Sequence, residues 1–244
     1  MYEQARFLPM GDGAIVMEFA NEISKEVNAR IRQTTKAIEK TIEGVIEVLP
    51  TYRSITIFYR PDQITYDELV TKLQTIKEGN EEGDSLSRRI EIPTVYGGEY
   101  GPDLAYVAQH ASLSEDEVIR IHTGTDYLVY MLGFSPGFTY LGGLDERIAT
   151  PRLESPRVKI PAGSVGIAGS QTGMYPSESP GGWQLIGRTP LKLYDPKKEP
   201  PVFIQAGDYI RYVAITESEY AEIEEQVNAG RFQVKMERMV GGAQ

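Results

Sequence analysis

Residues Gly133 to Thr189 read GFSPGFTYLGGLDERIATPRLESPRVKIPAGSVGIAGSQTGMYPSESPGGWQLIGRT. The window from Tyr130 to Pro201 holds ten of the 15 prolines, eleven of the 24 glycines and the only tryptophan, Trp183. Glycine allows positive φ at tight corners, and proline keeps loops from wandering. Between these breakers lie short apolar runs, SVGIAG (164–169) and WQLIG (183–187). The pattern extends outward to YLVYML (127–132) and VFIQAGDYIRYVAI (202–215). Short β runs separated by turn residues predict a closed or nearly closed β-barrel.

Towards the amino terminus the periodicity changes. RRIEIPTVY (88–96) alternates as a strand, and two short helical patterns lead from there to His122. The second opens on a Ser114/Glu117 capping box, with Leu113 and Val118 in staple positions. Further upstream, Ala14 to Phe19 predict a strand. From Asn21 onward Ile23, Val27, Ile31, Ile38 and Ile42 share a helical face. VIEVLP (45–50) and SITIFY (54–59) predict strands either side of a turn. Thr65 and Glu68 then start a helix that carries Leu69, Leu73 and Ile76 and stops at Gly79. The order strand, helix, two strands, helix predicts a small α/β sandwich. KEGNEEGDSLS (77–87) carries four acidic side chains among glycines and reads as a linker. The expected fold is therefore α+β: an α/β domain over 1–79, an acidic linker over 80–88 and a barrel domain over 89–244. A last helix opens at Thr216 with Glu219 as its box partner, carries Tyr220, Ile223 and Val227, and ends before Gly230. The terminal GGAQ is expected to fray.

Composition removes several classes of function. A net charge of −10 over 244 residues argues against a broad nucleic-acid footprint. The absence of cysteine excludes disulfides, thiolate zinc sites and a cysteine nucleophile. Two histidines, His110 and His122, cannot build a His-rich metal centre, no ligand-like spacing appears, and no metal is assigned. There is no GxSxG elbow and no complete P-loop. The amino terminus has no unbroken apolar run, and no stretch approaches the roughly 20 apolar residues that span a bilayer. A cytoplasmic protein is expected.

The Gly and Pro rich window carries four Lys and four Arg against two Asp and four Glu, which leaves the rest of the chain at −12 and would steer an anion to this window. GIAGSQTG (166–173) could form a nest of amides for phosphate or carboxylate. Arg157, Lys159 and Arg188 lie among turn residues, where a guanidinium suits bidentate carboxylate or phosphate binding and plain surface solvation is the alternative. Trp183 suits either a stacking platform or core packing. For His122, near a helix end, the open roles are capping and proton transfer. Asp103, after Gly101 and Pro102, is either a helix-start residue favoured by the dipole or a catalytic carboxylate.

YMLGFSPGFTYLGGLDERIATPR (130–152), PRVKIPAGSVGIAGSQTGMYPSESPGGWQLIGRTPLKLYDP (156–196) and AGDYIRY (206–212) strongly resemble the allophanate hydrolase subunit 1 family, which includes the B subunit of 5-oxoprolinase and the sporulation-kinase inhibitor KipI. The likeness is densest from Gly133 to Tyr212 and covers nearly the whole chain. It implies a cyclophilin-like barrel and partners, the C subunit of 5-oxoprolinase (allophanate hydrolase subunit 2-like) together with the A subunit. By similarity to 5-oxoprolinase the pair formed with the C subunit would use ATP, with Mg²⁺, to activate 5-oxoproline for opening to L-glutamate, and this chain would be inactive alone. The resemblance gives the loop 166–173 with Arg157, Lys159, Gln171, Thr172 and Arg188 to an anionic group, and proton transfer to Asp103 or His122. Phe134, Phe138, Tyr140 and Trp183 become ligand or partner contacts. The Ser-Ser-Lys signature of true allophanate hydrolases is absent. The KipI branch implies an alternative, an inhibitor that binds the dimerisation region of a sensor histidine kinase through the same barrel face. Prolyl isomerisation would rest on fold likeness alone.

Overall fold

A computed structural model describes residues 2, 4–76 and 87–239. The chain divides into two units, Met1–Ser85 and Leu86–Gln244, each with its own hydrophobic core.

The amino-terminal unit runs β1 (Arg6–Pro9), β2 (Ala14–Glu18), α1 (Lys25–Thr41), β3 (Val45–Pro50), β4 (Ser54–Tyr59) and α2 (Tyr66–Thr75). The strands form one antiparallel sheet in the order β1-β2-β4-β3. Alternation puts Ile15 and Met17 of β2 and Ile55, Ile57 and Tyr59 of β4 in the core, where they join Val27, Ile31 and Ile38 of α1 and Leu69 and Leu73 of α2. Thr65 and Glu68 cap α2 reciprocally, as the box predicts. Ile23 is a correction: the Ser24 hydroxyl accepts from the Val27 amide and caps α1, which begins at Lys25 and leaves Ile23 outside the helix and exposed. The expected stop at Gly79, most of the acidic linker and the GGAQ tail lie outside the described residues. Within the described part α2 ends at Thr75, and Arg88, assigned to the linker, already opens a strand.

The second unit runs β5 (Arg88–Tyr96), α3 (Leu104–Ala111), α4 (Glu115–Thr123), β6 (Asp126–Leu132), β7 (Thr139–Gly142), β8 (Arg157–Ile160), β9 (Ser164–Ala168), β10 (Gln171–Met174), β11 (Ser179–Gly181), β12 (Gln184–Arg188), β13 (Tyr209–Ala214), α5 (Glu217–Asn228) and β14 (Met236–Arg238). The main sheet follows β10-β9-β12-β5-β13-β6-β7, with β14 also on β5 and a separate β8–β11 pair. β7 and β10, at the two ends of this path, lie against each other and nearly close the barrel. Ile92, Val129, Ile167, Ile186 and Ile210 fill the interior, with Val107 and Val118 of the two helices packed into the same core.

One strand is shorter than its apolar run predicts. Residues 202–208 of VFIQAGDYIRYVAI form a loop, because the buried Asp208 carboxylate accepts from the Gln205 amide (2.7 Å) and from both Nε (2.9 Å) and Nη2 (2.5 Å) of Arg88. That fork ties the loop to the start of β5. Among the described residues no helix is long and apolar enough to cross a membrane.

Candidate functional site

Beside the seam between β7 and β10, a second apolar cluster builds around Phe138. Its ring meets Phe134 at 5.7 Å, Tyr140 at 5.2 Å, Trp183 at 5.9 Å and Tyr175 at 6.2 Å between centroids, all edge-to-face. Such contacts fix ring orientation as well as burying area. The rings do not close on one another. They wall a cavity of about 200 Å³, with Arg152 and Gln171 also in its lining. The Arg152 guanidinium stands 5.9 Å from the Trp183 ring centroid, a cation at the edge of an aromatic box.

Two glycines make room for this arrangement. A Cβ on Gly173 would lie 3.0 Å from the Trp183 ring, and one on Gly181 would lie 2.4 Å from the Tyr175 hydroxyl. Burial raises the Tyr175 phenol above its ordinary range, so the hydroxyl stays protonated and able to donate. Phe134 takes φ 66° with 77% of its surface exposed. A bulky residue in the left-handed region costs about 1–3 kcal/mol, and such strain concentrates at binding sites.

All four expected aromatics and Gln171 therefore meet at one pocket. The expected anion set does not. Arg157 donates to an Asp103 oxygen (2.7 Å) and to the Trp183 carbonyl (3.2 Å), while the other Asp103 oxygen accepts from the Leu185 amide (2.6 Å). Asp103 occupies the N-cap position of α3 but makes no capping hydrogen bond. The pair is a brace that holds β8 and β12 in place beneath Trp183. Lys159 pairs with Glu178 at 2.8 Å on the surface. Arg188 lies with its guanidinium 5.4 Å from the Tyr100 ring. GIAGSQTG is a β-hairpin, not a nest: Gln171, Thr172 and Gly173 of β10 face Ala168, Ile167 and Gly166 of β9, so its amides are engaged in or beside the ladder.

His122 is fully buried. Its Nδ1 lies 2.8 Å from the Tyr96 hydroxyl and its Nε2 lies 2.8 Å from Thr172 Oγ1. Because Thr172 donates to the Gly166 carbonyl, its oxygen accepts from Nε2–H, and Nδ1 then accepts from Tyr96. This neutral tautomer agrees with a pKa held down to about 3 by desolvation. The imidazole caps no helix carbonyl and presents no nitrogen to a substrate in this structure. Arg152 and Tyr175 are the site residues that sequence patterns miss, since each enters the pocket only through the fold of its loop.

Residues 5–204 match the model of a family described as the carboxyltransferase domain, subdomain C and D, and the chain belongs to that family. It is 46% identical over 235 residues to the 5-oxoprolinase B subunit of Bacillus subtilis (strain 168), covering 90% of this chain and 96% of that one. Against the 5-oxoprolinase B subunit of Escherichia coli O157:H7 the identity is 43% over 212 residues, with 86% and 96% covered. The solved urea amidolyase of K. lactis matches with a TM-score of 0.78 at 21% identity, over 96% of this chain and 16% of that one, and so shares the fold. The resemblance drawn from the barrel motifs and the expected barrel both hold.

Proposed function

We propose that this chain is a subunit of an ATP-dependent 5-oxoprolinase of the cytoplasm, in which the Phe138 pocket binds 5-oxoproline. The names of its relatives give the reaction, and the aromatic pocket with Arg152 at its edge is the observation that carries the assignment. A cavity of about 200 Å³ falls below the roughly 300–1,000 Å³ of pockets for drug-sized ligands, which suits a five-membered lactam and not a nucleotide. The rings would take the two faces of the lactam, Arg152 its carboxylate and Gln171 its amide. Asp103 and Arg157 act as positioning residues, because their own charges are satisfied by each other.

A lactam is a poor electrophile. Transfer of the γ-phosphoryl group of ATP to its oxygen breaks the bond to ADP and forms a new P–O bond, which turns that oxygen into a leaving group. Addition of water to the activated carbon and cleavage of the ring C–N bond with protonation of nitrogen give an acyl phosphate of glutamate, and a second water hydrolyses it to L-glutamate and inorganic phosphate. Catalysis of the first step rests on positioning and charge stabilisation. Among the described residues no group of three or more His, Asp or Glu side chains lies together to hold a metal. Mg²⁺ is read as part of the nucleotide co-substrate, bound with a C-type partner chain, and an A-type partner chain completes ring opening. The kinase-inhibitor alternative is not favoured by these relatives.

The test is ADP release from ATP and Mg²⁺ by this chain, by its C-type partner and by both, with and without 5-oxoproline. Turnover that needs both chains and the lactam is expected. A verified complex with no lactam-dependent turnover would overturn the proposal.

A further inference from the structure

β10, the strand QTGM, forms one wall of the Phe138 pocket. Its ladder is one-sided: it pairs with β9, whereas β7 lies against its other edge without a ladder. Alternation sends Thr172 and Met174 into the barrel interior and leaves Gln171 and Gly173 on the outer face. Gln171 lines the pocket, and Gly173 faces the Trp183 ring. Whatever fixes Thr172 from inside the barrel therefore supports both of these residues from behind.

His122 of α4 does so. Its ring links β5 to β10, which stand three strands apart in the sheet. Nδ1 accepts from the Tyr96 hydroxyl (2.8 Å), Nε2–H donates to Thr172 Oγ1 (2.8 Å), and Thr172 donates onward to the Gly166 carbonyl of β9 (3.1 Å). Every donor in this chain points the same way, and both ring nitrogens are satisfied. The rings of Tyr212 of β13 (4.4 Å) and Tyr127 of β6 (5.5 Å between centroids) flank the imidazole, and the Tyr127 hydroxyl donates to the His122 carbonyl (2.9 Å). Taking two ring nitrogens out of water is costly unless both are hydrogen-bonded, and a satisfied buried network specifies one arrangement of its surroundings. No step of the reaction uses this fully buried imidazole.

We infer that His122 is a positioning residue for the pocket: through Thr172 it sets the place of β10, and so the distance of Gln171 and Gly173 from a bound ligand. This role rests on the reading of the Phe138 pocket as the 5-oxoproline site and adds to it a support inside the barrel.

Two readouts test it. In the free chain, Tyr96→Phe removes the hydroxyl that holds Nδ1 and leaves Thr172 intact, and it should shift the backbone amide resonances of Gln171 and Gly173. In the pair reconstituted with the C-type partner, Thr172→Val should raise the KM for 5-oxoproline roughly ten-fold and change kcat by less than about two-fold. Thr172→Ser, which keeps the hydroxyl and loses a methyl group, should restore a KM close to that of the unaltered chain. Unmoved Gln171 and Gly173 amides in Tyr96→Phe, or a KM raised alike by Thr172→Val and Thr172→Ser, would overturn the inference. Moved amides with an unchanged KM in both Thr172 variants would uphold the support of β10 and place 5-oxoproline outside this pocket. Should Thr172→Val fail to fold, Tyr96→Phe carries both readouts, with KM expected to rise in the same direction.

Discussion

Phe134 holds its ring in solvent on a backbone that suits glycine. Phe134→Gly should therefore raise folding stability by about 1 kcal/mol, because it releases the left-handed strain. It should at the same time weaken 5-oxoproline use by the reconstituted pair. Denaturant melts and steady-state kinetics check the two halves, and a loss of stability would show that the ring does more for the fold than for the ligand. His122 supports a prediction of a different kind. Its folded pKa, about 3, lies below the ordinary 6.5, so between those values the unfolded chain binds a proton that the folded chain refuses. Stability should rise with pH across that window at about 1.4 kcal/mol per unit from this group, and be lost as pH falls. His122→Gln should flatten the slope between about pH 5.5 and 6.5, a range about one unit or more above ordinary carboxylate pKa values, in urea melts at each pH. A slope unchanged by the substitution would refute the neutral buried imidazole.

At the scale of elements, the Asp103–Arg157 brace links the start of α3, β8 and β12. Asp103→Ala removes a charged acceptor from a guanidinium and from a buried amide. It should destabilise the protein by about 2–3 kcal/mol and shift Trp183 fluorescence, since Arg157 also holds the Trp183 carbonyl. A shift in fluorescence without loss of stability would make the pair a local prop only. The elements legible in the sequence are those whose cause is local. The boxes at Thr65, Ser114 and Thr216 are four-residue motifs, and each caps a helix. β4 and β5 announce themselves by alternation and branched residues. TYLG, QTGM and SPG do not, because each is too short to show alternation and exists only through its pairing, with β6, β9 and β8 respectively. The same cause explains the site. Aromatic residue types singled out Phe134, Phe138, Tyr140 and Trp183, whereas the convergence of Arg152 and Tyr175 on them depends on tertiary packing. Arg157 looked available for an anion because nothing in its neighbourhood shows that Asp103 folds back onto it.

For the whole molecule, two separate cores imply two units of cooperativity. Ile38→Ala, which empties a fully buried position of the amino-terminal core, should lower the stability of that unit by about 2–5 kcal/mol and leave the barrel transition in calorimetry where it was. A single transition that moves as one would show that the units unfold together. The central claim concerns the pocket in the barrel. Arg152 is exposed, with its guanidinium held beside the Trp183 ring, so Arg152→Gln should leave stability unchanged. The measurement that tests the claim most directly is the 5-oxoproline dependence of ADP release by the pair reconstituted with this variant. A KM for 5-oxoproline raised by roughly ten-fold or more, with the chain still folded and paired, is the predicted result. An unchanged KM and kcat would place the substrate elsewhere.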